Sequence, residues 1–169
     1  MPVLDYSVRQ TESEKLVAER EGYDINVVRA DMTKTFPFED ESFDVIFHPV
    51  SNCYVRDVQH VWNECFRVLK KGGLLLAGVD NGFNYLFSEN DESTVTGHLP
   101  FDPLADEDQR RMCEAEDCGY QFSHTIGEQI GGQIKAGFTL LDVYDDTNGV
   151  GSLHEHGVPT FWATLSKKS

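Results

Sequence analysis

Basic residues are scarce in this chain. Fourteen lysines and arginines face 29 aspartates and glutamates, giving a formal net charge of −15 across 169 residues. Such a surface repels phosphates, which argues against nucleic acid as substrate or partner. Cysteine is sparse as well. Cys53, Cys65, Cys113 and Cys118 are irregularly spaced and form no Cys-x-x-Cys pair, which argues against a disulfide scaffold or a structural zinc site. No apolar run approaches the length of a membrane span, and no basic segment followed by an apolar stretch opens the chain. A cytoplasmic location without membrane association is therefore expected. No internal repeat and no linker-like stretch interrupts the sequence, so residues 1–169 are expected to form a single domain.

What is present is ordinary globular composition, 40% hydrophobic and 25% charged. Val3-Leu4 reads as the end of a strand closing at Asp5. Arg9 to Glu21 is rich in good helix formers, with Ser7 placed to cap its start and Gly22 its end. Ile25–Arg29 and Phe43–Phe47 read as strands. Asp57–Leu69 is the clearest helix, since Val58, Val61, Trp62, Cys65, Val68 and Leu69 recur at three- and four-residue spacing. Lys70-Lys71 would sit at its negative end and Gly72-Gly73 would stop it. Gly73–Val79 then reads as a strand buried on both faces.

The stretch 81–119 is irregular, with acidic segments broken by Pro100 and Pro103, and is expected to be an insertion with a short helix over Glu107–Asp117. Ser123–Ala136 is expected to be a helix with Ile126, Ile130 and Ile134 on one face. Thr139–Tyr144 and Thr160–Leu165 read as an antiparallel strand pair joined by a polar loop over Asp145–Val158, with Lys167-Lys168-Ser169 as a frayed tail. Alternating strands and helices predict an α/β sandwich around a mostly parallel sheet.

Three stretches carry a family resemblance. They are Ala30-Asp31-Met32-Thr33, then the run from Phe36-Pro37-Phe38 through Phe43-Asp44-Val45-Ile46-Phe47, then Glu64-Cys65-Phe66-Arg67-Val68-Leu69-Lys70-Lys71-Gly72-Gly73-Leu74-Leu75-Leu76. In this order they resemble the cofactor-binding core of class I S-adenosylmethionine-dependent methyltransferases of the type 11 kind. The resemblance implies a Rossmann-like sheet with helices on both faces and a family strand order of 3-2-1-4-5-7-6. It begins only at the end of the family's strand 2. The first strand and its glycine-rich turn have no counterpart near the N-terminus, so an N-terminally truncated domain is expected, with sheet edges open to self-association.

The resemblance implies S-adenosylmethionine as cofactor and roles for five residues. Asp5 would accept from the ribose hydroxyls, and Tyr6 would lie against the adenine or ribose. Asp31 would accept from the adenine amino group while Met32 packs on the ring, and His48 would line the same site. The residue types alone also fit turn-capping aspartates and a satisfied buried histidine.

Ligands of such folds lie beyond the carboxyl ends of the strands. That makes Asn52, Tyr54, Asn84, Tyr85, His154, Glu155 and His156 the substrate-side candidates, each also readable as an ordinary surface or packing residue. His154 and His156 would face the same way on a strand, but two histidines without a third ligand do not make a metal site. His124 and Glu128, four apart, read as a local polar pair on a helix. No general base is needed unless the acceptor must lose a proton, so no catalytic residue is assigned.

The expected function is methyl transfer to a small molecule. The alternative is a non-catalytic methyltransferase-like domain that binds a protein partner. A nicotinamide-dependent oxidoreductase would need Gly-x-Gly-x-x-G after a first strand, which the sequence does not contain.

Overall fold

A computed structural model describes residues 2–88, 92–116 and 119–169. The chain divides into two compact units, residues 1–39 and 40–169.

The smaller unit is a strand–helix–strand module. Strand β1 (Pro2–Asp5) and strand β2 (Asn26–Arg29) pair in parallel, with Asp5 opposite Arg29. Helix α1 (Val8–Glu21) connects them. Its caps are local: the Ser7 hydroxyl accepts from the Gln10 N–H at 3.2 Å, and Gly22 takes the left-handed conformation at φ 71°.

The larger unit holds a four-stranded sheet in the order β3-β4-β6-β5. Strand β3 (Phe43–His48) runs parallel to β4 (Leu69–Asp80). Strand β6 (Phe161–Lys168) is antiparallel to both β4 and β5 (Phe138–Asp146). Both sheets follow the family order, as 3-2 and 4-5-7-6, and among the described residues no strand pairs with both.

Helix α2 (Val58–Val68) and helix α4 (Ile126–Ala136) pack on one face of this sheet, over Leu75, Ala77 and Val79. Trp62, fully buried, is the centre of that layer. On the opposite face Val45, Phe47 and Leu76 are exposed. Among the described residues the unit also has helices α3 (Glu107–Glu116) in the insertion and α5 (Gly151–Glu155) between β5 and β6. The helix expected to reach Asp117 ends its described part at Glu116; Asp117 and Cys118 lie outside the described residues.

Several boundaries depart from expectation. Helix α2 ends at Val68, and Leu69 already pairs with Phe43. Lys70 through Gly73 are therefore strand residues and do not form a helix terminus. They form an irregularity in which the register jumps from Phe43–Leu69 to Val45–Leu74. Glycine is required there. Gly72 has φ 79°, and a Cβ on Gly73 would come within 2.9 Å of the Lys70 carbonyl oxygen and 3.0 Å of that of Asp44. Lys70 forms an ion pair with Asp44 at 2.9 Å rather than facing a helix end.

The expected frayed tail is instead strand. Lys168 is buried, donates to the Leu69 carbonyl at 2.7 Å, and lies 4.7 Å over the Phe66 ring. The 145–158 loop contains α5, and β5 extends to Asp146.

Helix α4 starts at Ile126, three residues later than expected, because Thr125 and Glu128 form a capping box. Its buried face is also not the isoleucine face. Ile126 and Ile134 are exposed, whereas Gln129, Gly132 and Gln133 are buried. The amides are satisfied there. Gln133 donates to Thr164 at 3.0 Å and accepts from Ser166 at 2.7 Å, and Gln129 accepts from Asn52 at 2.9 Å.

Two adjacent glycines of α4 give a test. A Cβ on Gly132 would lie 2.6 Å from Trp62 Cδ1, while one on Gly131 would meet only the Ile126 carbonyl oxygen, at an ordinary 4.0 Å. Gly131→Ala should raise stability by about 0.5–1 kcal/mol through helix propensity. Gly132→Ala should lower it by about 1–2 kcal/mol, because overpacking outweighs the same propensity gain. Urea unfolding of both variants checks the opposite signs.

Candidate functional site

In the smaller unit, Asp5 closes β1 and Asp31 lies two residues past β2, so both lie at the same end of the parallel pair. Each spends Oδ1 on its own turn. Asp5 accepts from the Ser7 N–H at 2.7 Å, and Asp31 from the Thr33 N–H at 2.9 Å and hydroxyl at 2.7 Å. The Thr33 bonds hold the Asp31 carboxyl below its ordinary range. Among the described residues, Oδ2 of each makes no hydrogen bond. An acceptor-only group with a spare oxygen suits hydroxyl and amine donors. Tyr6, 67% exposed, lies beside Arg29, whose Nε donates to the Tyr6 carbonyl at 3.1 Å. Met32 is half-buried.

In the larger unit, His48 closes β3. Its Nε2 meets Asn52 Oδ1 at 2.8 Å, and its ring stands edge-on to Trp62. Burial pulls the imidazole below its ordinary value, with the Asn52 bond opposing. Asn52 is itself buried and joined to Gln129, so it fixes His48 in place. Tyr54 is exposed, in the short 3-10 turn Asn52–Tyr54.

The loop before β6 does reach the end of β4. Asn84 and Asn148 exchange two amide bonds, at 3.0 and 3.2 Å, and Thr160 donates to Asn148 at 2.8 Å. Tyr85 turns inward, stacking on Phe101 at 4.5 Å and donating to Gln121 at 3.1 Å. His154 is on a helix, not a strand, with Nδ1 on the Thr147 hydroxyl; Glu155 and His156 are exposed. The alternation expected for the two histidines does not apply.

Sequence reasoning passed over two residues. His124 was paired with Glu128 on a helix, yet it precedes α4, is buried, and donates from Nε2 to the Asn52 carbonyl at 3.2 Å. Glu128 is held by the capping box with Thr125. The other is Asp80, which closes β4. It is 7% exposed and accepts from the Gly82 N–H at 2.8 Å. Burial pushes its carboxyl up to about 6, and pushes the nearby Cys53 thiol up to about 11. Its one sequence signal is an acidic residue ending an otherwise apolar strand.

Comparison with known proteins decides the family. The profile described as a methyltransferase domain matches residues 3–77. An uncharacterized methyltransferase, YbaJ, of Bacillus subtilis (strain 168) is 37% identical over 173 residues, covering 98% of this chain and 67% of that protein. The chain belongs to the class I S-adenosylmethionine-dependent methyltransferases.

Solved structures agree on the fold. A crystal structure of an S-adenosylmethionine-dependent methyltransferase from Mesorhizobium loti superposes with a TM-score of 0.73 at 17% identity, over 99% of this chain and 79% of that one. A geranyl diphosphate methyltransferase in complex with S-adenosylmethionine gives 0.65 at 16% identity, over 99% and 68%. S-adenosylmethionine is accordingly the family's methyl donor.

Asp80 of this methyltransferase gives a pH test. Its folded-state value lies above the ordinary 3.8, so its contribution to stability is complete below pH 3.8 and is lost as pH rises through about 6. The loss is on the order of 3 kcal/mol. Asp80→Asn keeps an oxygen for the Gly82 N–H and cannot ionise. The variant should be more stable than the parent at pH 7.5, and the difference should vanish near pH 4. Denaturant midpoints across that range check it.

Proposed function

We propose that this chain transfers a methyl group to a small-molecule acceptor. The observation that carries the reading is the pair of carboxylates at neighbouring strand ends, each with an oxygen left to accept. Asp5 takes the ribose hydroxyls and Asp31 the adenine amino group, with Tyr6 and Met32 against the rings. In the larger unit His48 is immobilised by Asn52 and Trp62 at the end of β3. When bound, the sulfonium donor supplies an already activated methyl group. The protein then has to align the acceptor and exclude water.

Tyr54, Asn84 and Tyr85 are the substrate-side residues nearest the ends of β3 and β4, with Asn52 as a positioning residue. His154, Glu155 and His156 sit on the loop side of the same end. The net charge of −15 disfavours nucleic acid acceptors. No helix among the described residues is long and apolar enough to cross a membrane, and a cytoplasmic small molecule is the acceptor class favoured.

A second reading rests on β3, which ends its sheet with one edge unpaired by any described strand. In that reading the domain binds a protein partner, or a second copy, and no cofactor.

Calorimetric titration with S-adenosylhomocysteine separates the two. The chain should bind it, and Asp31→Ala should weaken binding about 10- to 100-fold, the effect of losing one hydrogen bond to a charged acceptor. A folded chain that binds none would leave the partner-binding reading.

A further inference from the structure

We propose that Asp80 anchors a site in the larger unit for a small organic cation, the ammonium group of an amine. The amine's part in methyl transfer, as the handle of the acceptor, rests on the reading above. The site itself rests on the chemistry around Asp80.

Asp80 ends β4 opposite Phe161 of β6 and is 7% exposed. Its Oδ1 accepts from the Gly82 N–H at 2.8 Å. Among the described residues Oδ2 makes no hydrogen bond and no ion pair. No buried side-chain oxygen among those residues lacks a partner, so Oδ2 is the part of this carboxyl that reaches the surface. One oxygen thus holds the turn after the strand, and the other is presented to whatever approaches the strand end.

The surroundings supply no cation. Burial pushes the carboxyl up to about 6, with the Gly82 bond opposing. The ionisable groups facing it are the Cys53 thiol, on the turn Asn52–Tyr54, and the Tyr85 phenol, on the turn Phe83–Leu86. Burial, and then the Asp80 charge, pushes both of these up, so both are neutral near neutral pH. Tyr54 and Cys113 face Tyr85 in turn. Above pH 6 a negative charge is therefore left nearly buried with no positive partner.

Such a charge carries a cost that a bound cation offsets. An ionised carboxylate can only accept, so the ligand must donate, and a charged donor makes the stronger bond. Tyr54, 52% exposed, adds an aromatic ring close by, to which an ammonium is also drawn. A metal ion fits less well: among the described residues no group of three or more His, Cys, Asp or Glu could hold one. The net charge of −15 draws cations from a distance and turns anions away. An ammonium has no lone pair with which to take a methyl group, so the cation held here positions the acceptor and is not the atom methylated.

The probes are 2-phenylethylamine and 2-phenylethanol, alike in shape and different in charge. Each is titrated against the chain by NMR on the Gly82 and Cys53 amide signals, with S-adenosylhomocysteine calorimetry on the same samples. At pH 7.5 the amine should move both signals and bind at least about tenfold more tightly than the alcohol. At pH 5 the amine stays protonated while about nine in ten Asp80 carboxyls are neutral, so its affinity should fall about tenfold. Asp80→Asn is expected to be more stable than the parent at pH 7.5, so a loss of binding there is not a loss of fold. It should weaken the amine at least about tenfold at pH 7.5 and remove the pH dependence. Glu12→Gln takes one charge from an exposed position of the smaller unit and should leave amine affinity unchanged.

No binding of the amine, equal affinity for the two probes, or an Asp80→Asn variant that binds the amine as the parent does overturns the proposal. An equal loss in Glu12→Gln overturns it too, since binding would then follow overall charge. Amine binding without S-adenosylhomocysteine binding would sink the cofactor reading and leave this site standing.

Discussion

The indole of Trp62 seated against Gly132 holds the larger unit together. Trp62 is wholly buried, its Nε1 donates to the Glu128 carbonyl at 3.1 Å, and the helix facing it has no side chain at the point of contact. That contact sets how close α2 and α4 approach. The approach in turn sets which face of α4 meets the sheet. Once Gly132 lies on Trp62, Gln129 and Gln133 must point inward, and they need partners. Asn52, Thr164 and Ser166 supply them. Asn52 also holds His48 and, through its carbonyl, His124. The packing of one tryptophan thus reaches the end of β3 and His124 ahead of α4 through one buried polar network.

Legibility in the sequence follows the range of the forces involved. Strand β1, helix α1 and strand β2 could be read because their signals are local: Ser7 and Gly22 act within a few residues of the helix they cap. Asp5 and Asp31 are legible by the same logic, since one ends a strand and the other comes just after one. Gly72-Gly73 misled because a glycine pair after a helix has two physical uses. Here it serves close backbone approach in a strand rather than a helix stop. Ser123 and Thr125 are both acceptable caps, and only the Glu128 carboxylate three residues past Thr125 decides between them.

The face of α4 was not legible for a deeper reason. Apolar periodicity assigns Ile126, Ile130 and Ile134 to the core. The partners that make the glutamine face the better one to bury lie 31 to 77 residues away in sequence. A glutamine without those partners belongs on the surface; with them it belongs inside. Lys168 obeys the same rule. A lysine near a chain end reads as tail, and only the Leu69 carbonyl and the Phe66 ring, brought close by strand pairing, make its burial tolerable. His124 and Asp80 were passed over likewise, since their burial comes from elements distant in sequence.

The carboxylates of the smaller unit and the charges of the larger are used differently. Asp5 and Asp31 are partly accessible, and each uses one carboxylate oxygen to hold its own turn and leaves the other to accept from a polar donor. A cleft of the larger unit lined by Leu99, Phe101 and Trp162 is the reverse: the Arg56 guanidinium at its edge donates to Asp102 and the Glu128 carboxylate closes a helix cap, so its charges are engaged in holding the fold.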